Sequence, residues 1–207
     1  MKIIGIIPAR MESTRLPGKP LIKLGNKSMI QRVYESAIKC GQLNDLFVAT
    51  PNDEIYDHVS NFGKAILTSN NPINGTERVH EAYKKIDLKC DFIINIQGDE
   101  PFIKSNQIDD LIKICKYPNE ICTLVKEEKY SKKLENNSVM KVVKDLNDEA
   151  LYFSRSLIPF NNKNNLYNKH ICIYAYTPSI LDKIISIEPS PLEIAESLEQ
   201  LRWLENG

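Results

Sequence analysis

Along the first two thirds of the chain, hydrophobic and polar positions alternate between two rhythms. Residues 2–7 form an apolar run rich in β-branched side chains, the pattern of a strand buried on both faces of a parallel sheet. From Ser28 the spacing turns helical: Ile30, Val33, Tyr34 and Ala37 line one face, Ser28 and Gln31 form a capping box, and Gly41 stands ready as C-terminal cap. A strand over 46–50 follows, then a short helix led by Asn52, Asp53 and Glu54 and closed by Gly63. The spacing next predicts a strand over 64–67, a helix over about 76–86, a strand over 92–97, and a helix capped by Ser105 and running through Ile108, Leu111, Ile112 and Cys115. Such βαβ repetition predicts an α/β fold: a Rossmann-like, mostly parallel sheet with right-handed crossovers, flanked by helices.

The rhythm changes after Val125. "KEEKYSKKLENN" reads as a solvated excursion, whereas "MKVVKD" and "ALYFSRS", separated by the turn-rich "LNDE", read as an antiparallel hairpin. A strand over 171–176 leads to a helix with Thr177 as cap and Pro178 at its first position. The last stretch, "SPLEIAESLEQLRWLENG", reads as one helix in which Ser190 caps, Pro191 opens and Glu193 completes a capping box, with Leu192, Ala195, Leu198 and Leu201 as its apolar side. The expected organisation is a single domain over 1–207 with a small lobe at about 126–170.

Charge narrows the function classes. Lys plus Arg number 27 and Asp plus Glu number 27, so the long-range positive field that a nucleic-acid or membrane-surface binder uses is lacking, and neither partner is expected. The five cysteines contain no C-x-x-C pair and make a poor disulfide framework, which suits a reducing cytoplasm. Gly5 and Pro8 interrupt the first apolar run, which is too short for a signal segment or a membrane span.

Local clusters therefore hold the chemistry. "IPARMESTRLPGKP" follows the first strand, where open parallel sheets place phosphate. Arg10, Arg15 and Lys19 can converge there on a polyanion, and Ser13, Thr14 and the amides near Gly18 can form a donor nest, stiffened by Pro17 and Pro20. The loop is neither a Walker A sequence nor G-x-G-x-x-G, which argues against a dinucleotide enzyme. "NIQGDEP" ends the strand over 92–97 and projects Asp99 and Glu100 into the same crevice. A carboxylate facing phosphates calls for a cation between them, so Asp99 is the candidate ligand for Mg²⁺. Gly98 permits close approach of a ligand, and the Gln97 amide is suited to reading a base edge.

Six blocks in order, "IPAR...STRLPGKPL", "NGTER", "QGDEP", "ALYFSR", "KHICIYAY" and "SPLEIAESLEQLR", resemble the 3-deoxy-manno-octulosonate (Kdo) cytidylyltransferases of lipopolysaccharide or capsule biosynthesis. The resemblance implies a fold of the nucleotide-diphospho-sugar transferase type, CTP and Kdo as substrates, Mg²⁺ as cofactor, and a homodimer. It implies that Arg10, Lys19 and Asp99 serve catalysis, with Asp99 on the metal. Pro8, Ala9, Arg10, Arg15, Lys19, Gly75, Thr76, Arg78 and Gln97 would bind the nucleotide. Arg155, His170, Tyr174, Glu199 and Gln200 would surround the acid sugar. In the resembled family a further strand, an acidic block with a second metal ligand and a closing helix follow the "LEQLR" helix, so this chain is expected to lack them, with Glu100 or Glu199 as stand-ins for the carboxylate. Alternative readings are a cytidylyltransferase for a related acid sugar, such as 8-amino-Kdo or a nonulosonate, and a nucleotide-binding homologue impaired in catalysis.

Overall fold

Ile3, Ile4, Ile6 and Ile7 are all buried, as a strand covered on both faces requires, and they belong to β1 (Ile3–Pro8) at the middle of the sheet. The computed structural model describes residues 1–12, 16–116 and 120–207; Ser13, Thr14 and Arg15 of the candidate phosphate loop lie outside the described residues. After β1 come β2 (Lys23–Leu24), β3 (Lys27–Ser28), α1 (Met29–Ala37), β4 (Asp45–Thr50), α2 (Asp53–Ser60), β5 (Lys64–Leu67), α3 (Gly75–Ile86), β6 (Phe92–Ile96) and α4 (Ser105–Ile114). The chain continues through β7 (Cys122–Lys129), β8 (Lys141–Lys144), β9 (Ala150–Ser154), β10 (Leu166–Tyr176), α5 (Pro178–Ile185), α6 (Pro191–Glu196) and α7 (Gln200–Glu205).

Two compact units make up the described chain. The first comprises Met1–Thr123 and Cys172–Ile185, and the second Leu124–Ile171 and Ser186–Gly207. In the first, the strands run in the order β5-β4-β1-β6 and then the end of β10. β1 pairs in parallel with β4 and β6, β4 with β5, and β10 closes antiparallel on β6. This is the α/β architecture that the alternating pattern predicts. Because β1, β4 and β6 point the same way, their carboxyl ends, and the loops that follow them, gather along one edge.

Helix starts agree with the sequence more closely than helix ends. The Ser28 hydroxyl accepts the Gln31 N–H at 3.2 Å, and Thr177 accepts that of Ile180 at 3.3 Å. Gly41 does not cap α1; the helix closes at Ile38, and Lys39 and Cys40 donate to the carbonyls of Ser36 and Ala37. Ser105 is the first helical residue of α4, not its cap: Lys104 precedes it, and its N–H meets the Gln107 side chain at 2.9 Å.

The charged stretch after Val125 is not a solvated excursion throughout. Its first part continues β7, which pairs with β10, and the Lys126–Glu128 ion pair at 2.8 Å lies along one face of that strand. The turn over Lys132–Glu135 is anchored by Leu134, buried to 1% exposure. Pairing satisfies the strand backbone whatever the charge of its outward side chains.

In the second unit, β8 and β9 form the expected hairpin, with Val142 opposite Phe153. The last stretch is not one helix. Ser197 adopts a left-handed conformation, φ 53°, and splits it into α6 and α7. The split tucks Leu198 and Leu201 into a cluster with Val142 and Phe153 and leaves Leu192 and Ala195 outside, so the expected apolar stripe is divided between core and surface. Across the break, Arg202 grips Glu193 with two hydrogen bonds, at 2.5 and 2.6 Å, and donates to the Ile187 carbonyl at 2.9 Å.

Candidate functional site

At the edge where β1 and β6 end, the first unit opens a cleft of about 660 Å³. Pro8 ends β1, and the Ala9 N–H, bonded to the Ala49 carbonyl at 2.9 Å, carries the pairing one residue further before Arg10 leaves the sheet. The described chain returns at the turn before Lys19: Gly18, at φ 70°, donates its N–H to the Met11 carbonyl at 2.9 Å. A left-handed backbone of this kind favours glycine. Lys19 then points into the cleft, with buried Pro20 behind it.

The facing wall comes from the end of β6. Gln97, Gly98 and Asp99 follow the strand, and a Cβ on Gly98 would sit 2.6 Å from the Pro8 carbonyl oxygen, so the two strand ends close on each other only with glycine there. The third wall is the start of α3. Asn74 caps that helix by accepting the Glu77 N–H at 2.8 Å, and Gly75 lies against Pro8 and Gln97. The N–H groups at the start of α3 thus border the cleft.

Arg78, one turn into α3, forms part of the lining although it is only 3% exposed. Its guanidinium donates to the Thr68 hydroxyl at 2.6 Å and to the carbonyls of Ser69 and Pro72 at 3.1 and 3.3 Å. Burial, and then the charge of Arg10, lower its pKa. Two guanidinium groups that repel each other across a pocket are relieved by an anion placed between them. The described lining holds three cations, Arg10, Lys19 and Arg78, and two carboxylates, Glu12 and Asp99. Lys19 and Asp99 bridge the cleft with a 2.5 Å ion pair.

Of the predicted nucleotide residues, Pro8, Ala9, Arg10, Lys19, Gly75, Arg78 and Gln97 line this cleft together with Asp99, Thr76 is buried on α3 without lining it, and Arg15 is not among the described residues. Sequence reasoning missed Glu12 and Asn74. Asn74 had a legible signal, because Asn followed by Glu three residues later is a helix start, and the expected helix began one residue too late.

The predicted sugar residues fall in both units. Tyr174, in the first, stands opposite Asn95 on the β10–β6 ladder, and Asn95 in turn accepts from the Gln97 amide at 3.4 Å, which puts Tyr174 beside the wall of the cleft. Asn95 is 1% exposed. The other four belong to the second unit. His170 is buried against Phe153, ring centroids 4.8 Å apart, and burial lowers its pKa to about 4, so the ring is neutral at ordinary pH.

Arg155 was expected beside the acid sugar. Its guanidinium donates to the carbonyls of Glu196, Ser197 and Asn137 at 2.7, 3.1 and 2.9 Å. Burial pushes the Glu196 carboxyl up, but the Arg155 N–H, the hydroxyls of Ser154 and Tyr152 and the Arg155 charge outweigh it and hold the pKa below the usual range. Glu196, Glu199 and Gln200 do not share one helical turn, because the break at Ser197 separates the first from the other two. Gln200 is 6% exposed, and its side-chain N–H₂ has no hydrogen-bond partner among the described residues.

Residues 4–207 match the family described as cytidylyltransferase. The 3-deoxy-manno-octulosonate cytidylyltransferases of Phocaeicola vulgatus and Cytophaga hutchinsonii are 48% and 45% identical to it, each alignment covering 100% of this chain and 86% and 87% of the relative. A solved structure of CMP:2-keto-3-deoxy-manno-octonic acid synthetase complexed with CTP superimposes with a TM-score of 0.91 at 39% identity, over 100% of this chain and 87% of that one. The chain belongs to the 3-deoxy-manno-octulosonate cytidylyltransferase family. It is accordingly a nucleotidyltransferase, and the cleft beyond β1 and β6 lies at the carboxyl edge of the parallel strands, where open α/β sheets bind their ligands. Among the described residues no group of three or more His, Cys, Asp or Glu side chains could hold a metal ion, and no helix is long and apolar enough to cross a membrane.

Proposed function

We propose that this protein transfers the cytidylyl group of CTP to 3-deoxy-manno-octulosonate, forming CMP-Kdo and pyrophosphate. The observation that supports this most strongly is the likeness over the whole of this chain, at 39% identity, to a synthetase complexed with CTP, joined to a cleft that sets Arg10, Lys19 and Arg78 around one volume. In the reaction the anomeric hydroxyl oxygen of the sugar bonds to the α-phosphorus, the bond from that phosphorus to the β-phosphate bridging oxygen breaks, and the hydroxyl proton leaves to solvent. Pyrophosphate departs with the bonding electrons.

Such a transfer needs placement and charge neutralisation more than covalent help from the protein. Arg10 and Lys19 hold the phosphate oxygens, and Arg78, fixed by its three neutral partners, keeps a positive charge beneath them without moving. Gly98 lets the ends of β1 and β6 close on each other, and Gly75 lets the start of α3 lie against Pro8, so the three walls of the cleft come together.

Asp99 is the residue that would hold Mg²⁺. A half-exposed carboxylate outside any larger acidic cluster among the described residues suits an ion that takes most of its ligands from phosphate oxygens and water, as Mg²⁺ commonly does. When bound, the ion supplies charge neutralisation at the triphosphate. Tyr174, His170, Glu199, Gln200 and Arg155 are the candidates for recognising the acid sugar, and the unpartnered Gln200 amide in a buried position supports that role for the corner between α6 and α7. The five free cysteines suit a reducing cytoplasm, and a homodimer is the proposed assembly.

Pyrophosphate release with Kdo and Mg²⁺ should be faster with CTP than with UTP, GTP or ATP. Equal rates with UTP would contradict the assignment of the base. CTP binding without release for any acid sugar would favour the nucleotide-binding reading.

A further inference from the structure

We propose that Asn52 is a positioning residue for the phosphate-binding loop; the inference rests on reading the cleft as the CTP triphosphate site. Asn52 precedes α2, where an asparagine ordinarily accepts an N–H of the first helical turn. It makes no such bond. Its Oδ1 accepts the Met11 N–H at 2.9 Å, its Nδ2 lies 3.5 Å from a Glu12 carboxylate oxygen, and its own N–H donates to the Thr50 hydroxyl at 3.2 Å, which ties it to the end of β4. The residue leaves its own helix uncapped and bonds a loop amide 41 positions earlier in the chain.

Met11 is the peptide through which both ends of the loop are tied. Its carbonyl accepts the Gly18 N–H at 2.9 Å, and Gly18 immediately precedes Lys19. Two residues before Met11, the Ala9 N–H is bonded to Ala49. The hydrogen bonds therefore run from β4 to Ala9, from Asn52 to Met11, and from Met11 to Gly18. Arg10 stands between the first two, and Lys19 directly follows the third. Side chains held in place before the ligand arrives lose less freedom on binding, so Asn52 acts on nucleotide affinity through the placement of Arg10 and Lys19. It touches neither sugar nor reacting atoms.

Asn52→Ser is the discriminating variant. Serine is a good helix cap but is too short to reach Met11, so it removes the loop contact while serving α2. Calorimetric titration with CTP and Mg²⁺, with steady-state kinetics, should show affinity and KM for CTP weakened by about three- to tenfold, the scale of one lost hydrogen bond. The melting temperature should stay at or above that of the parent chain, and kcat and the KM for Kdo should be unchanged. Hydrogen exchange at the Met11 amide should accelerate in Asn52→Ser and return to the parent rate in Asn52→Asp, which keeps an acceptor at the same reach. Unchanged CTP affinity or unchanged Met11 exchange in Asn52→Ser would overturn the proposal. If the parent chain binds no CTP, the reading of the cleft fails, while Met11 exchange still decides whether Asn52 holds the loop.

Discussion

Three single residues are the most exacting tests of the site. Lys19 and Asp99 face each other at 2.5 Å, and the Asp99 side chain is 48% exposed, so their ion pair adds less than about 1 kcal/mol to folding. Asp99→Asn should leave the melting temperature nearly unchanged while cutting turnover and its Mg²⁺ dependence sharply; an unfolded variant, or unaltered Mg²⁺ dependence, would make the residue structural. Gly98→Ala tests the closeness of β1 and β6, because the new Cβ meets a backbone oxygen that no rotamer change can move. A loss of about 1–3 kcal/mol in stability is expected, read by denaturant titration. His170 makes a prediction about acid. Its folded pKa, about 4, lies below the ordinary 6.5, so the unfolded chain takes up the proton first. The stability it contributes is full above about pH 6.5 and declines as pH falls toward 4, by roughly 3 kcal/mol across that window. His170→Asn should flatten the slope of stability against pH between those limits. The sequence marked His170 through family likeness but held no sign of its burial, which comes from Phe153 on a strand that only the fold brings beside it.

Among the elements, β1, β4 and β6 were legible because their apolar runs are buried on both faces, and the starts of α1 and α5 because their caps are local. Where an element is remodelled by distant partners, local reading fell short. The "SPLEIAESLEQLR" stretch has an unbroken helical pattern, yet it breaks at Ser197, where Arg155, just after β9, captures the carbonyls of Glu196 and Ser197. Nothing within the stretch signals that capture. The break is then held by the buried Arg202–Glu193 pair, 5% and 15% exposed at the side chains. Arg202→Leu leaves the Glu193 carboxylate without its partner and should cost about 3–5 kcal/mol, whereas Arg202→Leu combined with Glu193→Leu should recover much of that loss. Equal destabilisation in the single and double variants would show that packing, and not the unpaired charge, sets the cost. Arg155 was likewise legible as an important arginine, but the three carbonyls it holds were not. Arg155→Ala should accordingly lower the melting temperature as well as raise the KM for Kdo; a raised KM with unaltered melting would place the guanidinium on the sugar alone.

For the molecule as a whole, alternation of strand and helix patterns was enough to read an α/β sheet and to place two loops, "IPARMESTRLPGKP" and "QGDEP", at its ligand-binding edge. Their meeting in one cleft follows from β1 and β6 being parallel neighbours. The division into two compact units was less legible, because the second gathers 186–207 with 124–171 across an intervening strand end and helix, a long-range association with no local signature. The central claim is the reaction itself, and product analysis tests it most directly. With CTP, Kdo and Mg²⁺, phosphorus NMR and mass spectrometry should show CMP-Kdo and pyrophosphate appearing in equal amounts, with no product when Kdo is omitted. Phosphate or CDP as the released species, or CTP left intact beside Kdo, would contradict the account.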